Sequence, residues 1–255
     1  MKRYIRSAIS SISDLDWHEL GDLASDPRTP DNVLSEIAAT ADSYTIRYSL
    51  LENPSITTAL IDILVDNVLN DSTGADSSIC SDIIRHPKTS KQALKSIFDC
   101  FIDKDYKSSK YVWEAFAQDP KTPVRMLQQL SKSSDWLIRT DVANNPNASA
   151  SLLTQMLKNN DNNSLAFAIL SHPNATVGML IQFANSKSSM TRSAVASSPN
   201  TPIDILIKLS EDSDCFVRRY VAENKNTPTK ALKHLTKDVD PDVCRAAQYT
   251  LNHRR

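Results

Sequence analysis

The chain has 255 residues, enough to bury a large core, and a net charge of −1, so nothing draws it as a whole to nucleic acid or to an anionic membrane. Its 3 glycines argue against a strand-and-turn protein, and neither a GxxxxGKS/T nor a GxGxxG phosphate loop occurs. Charge is uneven, with 17 basic and 22 acidic side chains over residues 1–186 but 12 and 8 over residues 187–255.

A motif made of a short apolar helix end, Asn-Pro or a relative, and Thr-Pro returns along the chain. Its proline serves as an anchor and falls at Pro27, Pro54, Pro87, Pro120, Pro146, Pro173 and Pro199, with Lys225 in the eighth copy. The spacing is 26 or 27 residues, apart from two of 33. Self-similarity at such a period means stacked helical units that share one elongated core. The expected fold is all-α, a solenoid of about eight two-helix repeats of ~26 residues. Residues 1–26 are expected to form an N-terminal helical cap, 27–240 the repeat array, and 241–255 a C-terminal capping helix.

In the cap, Tyr4, Ile5, Ala8, Ile9, Ile12, Leu15 and Leu20 suit one or two amphipathic helices. In each unit a first helix starts near the residue two after the anchor, which is threonine in five copies and Ile56, Ala148 and Ala175 in the others. Thr29, Thr122, Thr201 and Thr227 each precede a proline (Pro30, Pro123, Pro202, Pro228). The hydroxyl is expected to cap free N–H groups, and proline to take the first helical position. Seven residues after the anchor stand Leu34, Ile61, Leu94, Leu127, Leu153, Leu180, Leu206 and Leu232. Ten after stand Ile37, Leu64, Ile97, Leu130, Met156, Phe183, Leu209 and Leu235. All are large and apolar, and an offset of three puts both columns on one helix face.

A second helix is expected to follow the caps Ser43, Asp76, Ser109, Asp135, Asn162, Ser188, Asp214 and Asp240. Its apolar columns lie eight and four residues before the next anchor, whose proline stops it. The extra residues of the two longer units fall near 66–78 and 99–109. They are expected to form solvated loops between first and second helices. Their aspartates do not match an EF-hand spacing, so no metal is expected there.

Seven residues before the anchor, arginine recurs at Arg47, Arg139, Arg192 and Arg218. This column lies about 100° round from the apolar one, inside the buried arc. The stems are expected to pack while the guanidinium groups find carbonyls or cap carboxylates such as Asp135 and Asp214. Positions six, five and two before the anchor point outward and are the binding candidates. Tyr48, Arg85, Phe167, Arg219, Tyr220, Arg245 and Tyr249 are the aromatic and arginine residues there, types enriched at interface hot spots. They concentrate in the last two units.

No catalytic set is marked. His86 and His172 directly precede anchor prolines, where other units have Asn or Asp, which favours a polar helix-end role over a general base. Trp17, Trp113 and Trp136 are expected to pack. Cys80, Cys100, Cys215 and Cys244 form no CxxC and have no metal-ligand spacing with histidine, which predicts reduced thiols, no metal and a cytoplasmic protein. The start, MKRYIRSAISSISDLDW, lacks the apolar core of a signal peptide, and no run reaches the ~20 apolar residues of a membrane span.

The units VANNPNASASLL, VASSPNTPIDIL and VAENKNTPTKAL resemble the leucine-rich repeat variant family, whose pattern is roughly VRxxVAxNPxTPxxxLxxLxxDxD. The resemblance covers about residues 20–250. It implies a right-handed superhelix of stacked helical pairs, one helix of which can be 3₁₀. It is similar in plan to HEAT repeats, in which Asp and Arg form an internal ladder that Arg47, Arg139, Arg192 and Arg218 would supply. Some members carry an iron–sulfur domain with clustered cysteines, which this sequence lacks, so no cofactor is expected. The functional expectation is a non-enzymatic scaffold that binds a protein partner. The alternative is a nucleic-acid-binding protein resembling the HEAT-like alkylpurine DNA glycosylases, recruiting Trp136 and Asp141, or Arg219 and Arg245. The acidic first two-thirds disfavours it, because backbone binding needs many phosphate contacts.

Overall fold

The computed structural model describes residues 12, 15–72, 74–102, 106–158 and 163–253. Tyr4, Ile5, Ala8 and Ile9 of the expected cap, and the expected cap residue Asn162, lie outside them. The described residues form helices and no strand: α1 (Trp17–Ser25), α2 (Asp31–Thr40), α3 (Tyr44–Leu51), α4 (Thr58–Leu69), α5 (Ser77–Arg85), α6 (Lys91–Phe101), α7 (Tyr106–Gln118), α8 (Val124–Leu130), α9 (Trp136–Asn144), α10 (Ala150–Lys158), α11 (Asn163–Ser171), α12 (Val177–Phe183), α13 (Ser189–Ser197), α14 (Ile203–Leu209), α15 (Cys215–Glu223), α16 (Thr229–Leu235) and α17 (Pro241–Asn252). Contacts group into two units, Met1–Asp119 and Pro120–Arg255.

Each unit is an α-solenoid. In the first, α1, α3, α5 and α7 pack in succession as one layer, and α2, α4 and α6 as the other. In the second, α9, α11, α13, α15 and α17 pack in succession, with the short helices α8, α10, α12, α14 and α16 each against its neighbour. The core lies between the layers. The columns seven and ten residues after the anchor are all buried except Phe183, which is half-buried. The columns eight and four before the anchor are buried in every copy. Helices of 7 residues such as α14 and α16 are too short to be stable alone, so this shared burial holds them. Several end in a tighter turn: Glu211 and Asp212 donate to the carbonyls of Lys208 and Leu209, three residues back, at 3.2 Å each.

The turn around each anchor carries a second, polar repeat. In several copies the side chain just before the anchor accepts the N–H two residues on and donates to carbonyls of the preceding repeat, whereas the buried Ser198 hydroxyl has no such bond. Asn224 accepts from Asn226 N at 2.9 Å, and its amide donates to the carbonyls of Ala196 and Ser198 at 2.7 and 2.8 Å. Asn53 does the same with Ser55 N (2.9 Å) and the carbonyls of Ala24 and Asp26 (2.7 and 3.2 Å). The residue just after the anchor also reaches back. Asn147, Asn200 and Asn226 donate to the carbonyls of Pro120, Pro173 and Pro199 at 2.5, 2.7 and 2.6 Å. Two ladders of side chain to carbonyl bonds thus join consecutive repeats.

Several expectations are corrected. The threonines do not cap the following helix. Thr29 and Thr227 are buried and donate to the carbonyls of Leu23 and Val221, 2.7 and 2.6 Å away, and Thr89 and Thr201 bond Ile83 and Val195 in the same way. The cap lies one residue further on: Thr57, Ser90 and Thr176 cap N–H groups there, and Pro30, Pro123, Pro202 and Pro228 take the same extended position without a side-chain bond. Ser109 is no cap either, because it lies inside α7 and is fully buried.

The longer units lengthen their first helices, and in the first of them residues 70–72 and 74–76 still form a connecting loop to α5. In α4 the chain stays helical to Leu69 because Val68, four residues after Leu64, is buried. In α6 it continues to Phe101, buried four residues after Ile97. Phe98 packs edge-on against Trp113 and Phe116 of α7, centroids 5.4 and 5.3 Å apart. Of the other tryptophans, Trp17 and Trp136 stay 61% and 47% exposed rather than packing.

His172 takes the Asn place in the ladder. It is buried; Nδ1 accepts from Asn174 N at 2.9 Å, so Nε2 carries the proton and donates to the Asn145 carbonyl at 3.1 Å. Burial pushes its pKa below 6.5. Above that value neither folded nor unfolded chain holds the proton. As pH falls below it the unfolded chain takes one up and the folded chain resists, so stability falls. His172→Asn is expected to keep the fold and remove this loss. Urea denaturation of both proteins at pH 7.5 and 5.0 checks it: the acid penalty should be smaller in the variant, and an equal penalty contradicts the assignment.

Candidate functional site

Facing the core, the column seven residues before the anchor holds arginines with committed donors. Arg192 sends Nε and Nη2 to the two carboxylate oxygens of Asp212 at 2.7 and 2.8 Å, and Nη1 to the carbonyls of Ser186 and Lys187 at 2.9 and 3.3 Å. One repeat on, Arg218 grips Asp238 at 2.7 and 2.9 Å and the carbonyls of Asp212 and Ser213 at 2.8 and 3.3 Å. Arg47 is buried, with the Ala41 carbonyl at 3.0 Å and Asp71 at 2.7 Å. Arg139 donates to the carbonyls of Ser133 and Ser134 at 2.8 and 3.0 Å.

The carboxylates gripped by Arg192 and Arg218 are not the expected caps. Asp214 caps the Phe216 N–H at 2.9 Å, and the partners Asp212 and Asp238 stand two residues before the caps. Burial alone would raise the Asp212 pKa, but bonds from Arg192 and the Asp214 N–H, with the nearby guanidinium charges, outweigh it and hold the carboxyl low. At Asp238 the Arg218 bond is the largest influence and acts the same way.

The outward positions offer the accessible chemistry. In residues 1–119, Tyr48 is 42% exposed on α3 and Arg85 is exposed on α5. In residues 120–255 the candidates fall into two neighbouring places on α15. Phe167 of α11 meets Tyr220 of α15, ring centroids 5.8 Å apart. With Met190 and Phe216 they line an open depression of about 480 Å³. Beside it a cleft of about 1090 Å³ is lined by Arg219, Glu223, Lys225, Asp242, Arg245 and Tyr249. Its arginines are neutralised locally: Arg219 pairs with Glu223 at 2.8 Å, and Arg245 with Asp242. Tyr249 is 65% exposed and stacks on His253 at 4.1 Å.

Sequence reasoning missed Phe216 and Met190, which are 62% and 48% exposed. Both stand nine residues before an anchor, a column that holds Thr45, Ser78, Ser164 and Asp242 but also Tyr111 and Leu137 in other copies. With half of that column large and apolar, the sequence pattern does not single the two residues out. Of the two pairs offered for the nucleic-acid alternative, Trp136 and Asp141 lie on α9, and Arg219 and Arg245 on the adjacent helices α15 and α17. No described helix is long and apolar enough to cross a membrane.

No family model and no curated protein sequence matches the chain. Among solved structures it is similar to a leucine-rich repeat variant described as having a novel repetitive structural motif, with a TM-score of 0.52 and 18% identity over 86% of this chain and 82% of that one. Two engineered proteins also align. One has a TM-score of 0.32 and 16% identity over 94% of this chain and 76% of its own. The other has 0.25 and 16% over 92% and 95%. The fold is that of the leucine-rich repeat variant, an α-solenoid of helical repeats.

Cutting one partner from the Arg218–Asp238 pair strands a charge that is largely shielded from water. Asp238→Ala is expected to cost about 3 kcal/mol in urea denaturation. The double change Arg218→Met with Asp238→Leu should cost less than that single change. A double variant worse than Asp238→Ala would mean the pair contributes more than relief of a stranded charge.

Proposed function

We propose that this α-solenoid is a non-enzymatic scaffold, working in the cytoplasm, that binds a protein partner along the outward face of α11, α13, α15 and α17. The carrying observation is the exposure of Phe216 and Met190 beside the Phe167–Tyr220 contact. Large apolar side chains are normally scattered over a surface, whereas these four line one depression. Aromatic residues, methionine and arginine are the types enriched in protein interfaces. The adjoining cleft adds Arg219, Arg245 and Tyr249, each on a short rigid helix rather than a loop. Its mixture of paired charges suits the polar rim of a protein interface better than a row of phosphates.

Partners retained from native lysate by the full chain should be lost with Phe216→Ser, their recovery falling at least about tenfold as expected of a hot spot. Arg219→Glu with Arg245→Glu should reduce it further. The thermal midpoint of Phe216→Ser should stay at the wild-type value, because the ring is 62% exposed. An undiminished partner set in all these variants would overturn this choice of surface, and tight, salt-sensitive binding of duplex DNA would overturn the choice of partner.

A further inference from the structure

We infer that the exposed tyrosine pair Tyr44–Tyr48, on the outward face of α3 beside α5, is a docking point for a cationic segment of a partner protein. A lysine or arginine side chain would lie against the phenol rings, with Glu52, Asp76 and Asp82 around it. This goes beyond the surface in residues 120–255 and uses different residues.

The rings are stacked, centroids 5.9 Å apart and planes 18° from parallel, yet Tyr44 and Tyr48 remain 43% and 42% exposed. Two large aromatic faces are thus held in a fixed arrangement at the surface. The hold is visible on one side: Tyr44 donates its hydroxyl to Asp82 of α5 at 2.9 Å. Among the described residues, the groups that shift the pair are acidic. The Tyr44 phenol is pushed up to about 12, first by its bond to Asp82, then by burial and the charges of Asp82, Tyr48 and Asp76. Tyr48 is pushed up mainly by the charge of Glu52, with burial, a Glu52 hydrogen bond and Asp82 adding to it. Among the described residues, no lysine or arginine shifts either ring. Arg47, on the same helix, turns inward to Ala41 and Asp71.

Aromatic faces carry negative potential and attract cations, and nearby carboxylates extend that attraction outward. The same field repels phosphate and carboxylate ligands, which commits the site to a basic peptide. The net negative charge of residues 1–186 is of the complementary sign.

The probe is a fluorescein-labelled hexalysine peptide, read by anisotropy with the full-length chain at 50 and 300 mM NaCl. Saturable binding that weakens with salt is expected, and no binding to the fully acetylated, uncharged peptide. Tyr48→Ala should weaken binding about fivefold, and Tyr48→Phe, which keeps the ring, should stay within about twofold. Glu52→Gln with Asp82→Asn should weaken it about fivefold or more. Circular dichroism melts establish that each variant folds. Equal affinity for wild type and Tyr48→Ala would reduce the effect to diffuse attraction and overturn the inference, as would absence of saturable binding. Phe216→Ser should leave hexalysine binding unchanged, so that this site and the C-terminal face stand or fall separately.

Discussion

One amide, that of Asn224, holds three backbone groups by itself: the N–H of Asn226 in its own turn and the carbonyls of Ala196 and Ser198 at the end of α13. A helix of seven residues forms about one hydrogen-bonded turn beyond its nucleus and does not survive in water alone. Burial of the leucine columns supplies the cohesion, but apolar contact is not directional. The rungs are. Those of Asn53, His172 and Asn224 tie the exit of one second helix to the exit of the previous one at a separation of about 2.7 to 3.2 Å, and so set the register in which the greasy columns meet.

The outward face follows from that constraint. With the core columns turned inward and Arg192 and Arg218 occupied by Asp212 and Asp238, the residues left free to vary are those on the far side of α11, α13, α15 and α17. They are presented at intervals fixed by the ladders. A surface built this way is rigid and modular, and its chemistry can change residue by residue without disturbing the stack. Phe216 and Met190 occupy one such variable column, and Arg219 and Arg245 another.

The apolar columns were legible because they repeat at helical spacing in every copy, and fifteen of the sixteen first-helix positions are buried as that pattern demands. The polar ladder was not. Asn before and after the anchor reads equally well as turn chemistry, and a bond to a carbonyl 26 to 29 residues away leaves no local trace. Threonine misled for a related reason: the same hydroxyl can cap the next helix or close the last one, and the choice rests on burial, which favours the carbonyl at Val221 over a free N–H. In the longer units only the extent of the first helices was missed, because Val68 and Phe101, spaced four residues from Leu64 and Ile97, keep them going.

Hydrogen exchange of the turn amides tests the turn ladder most directly. Asn174 and Asn226 are exposed residues, yet their N–H groups are bonded to the side chains of His172 and Asn224, both buried. In native conditions these two amides should exchange as slowly as Val221 in the middle of α15, and Asn224→Ala should release Asn226 together with the last turn of α13. Exchange of Asn174 and Asn226 at the rate of an unstructured surface loop would contradict the ladder and the fixed outward face built on it.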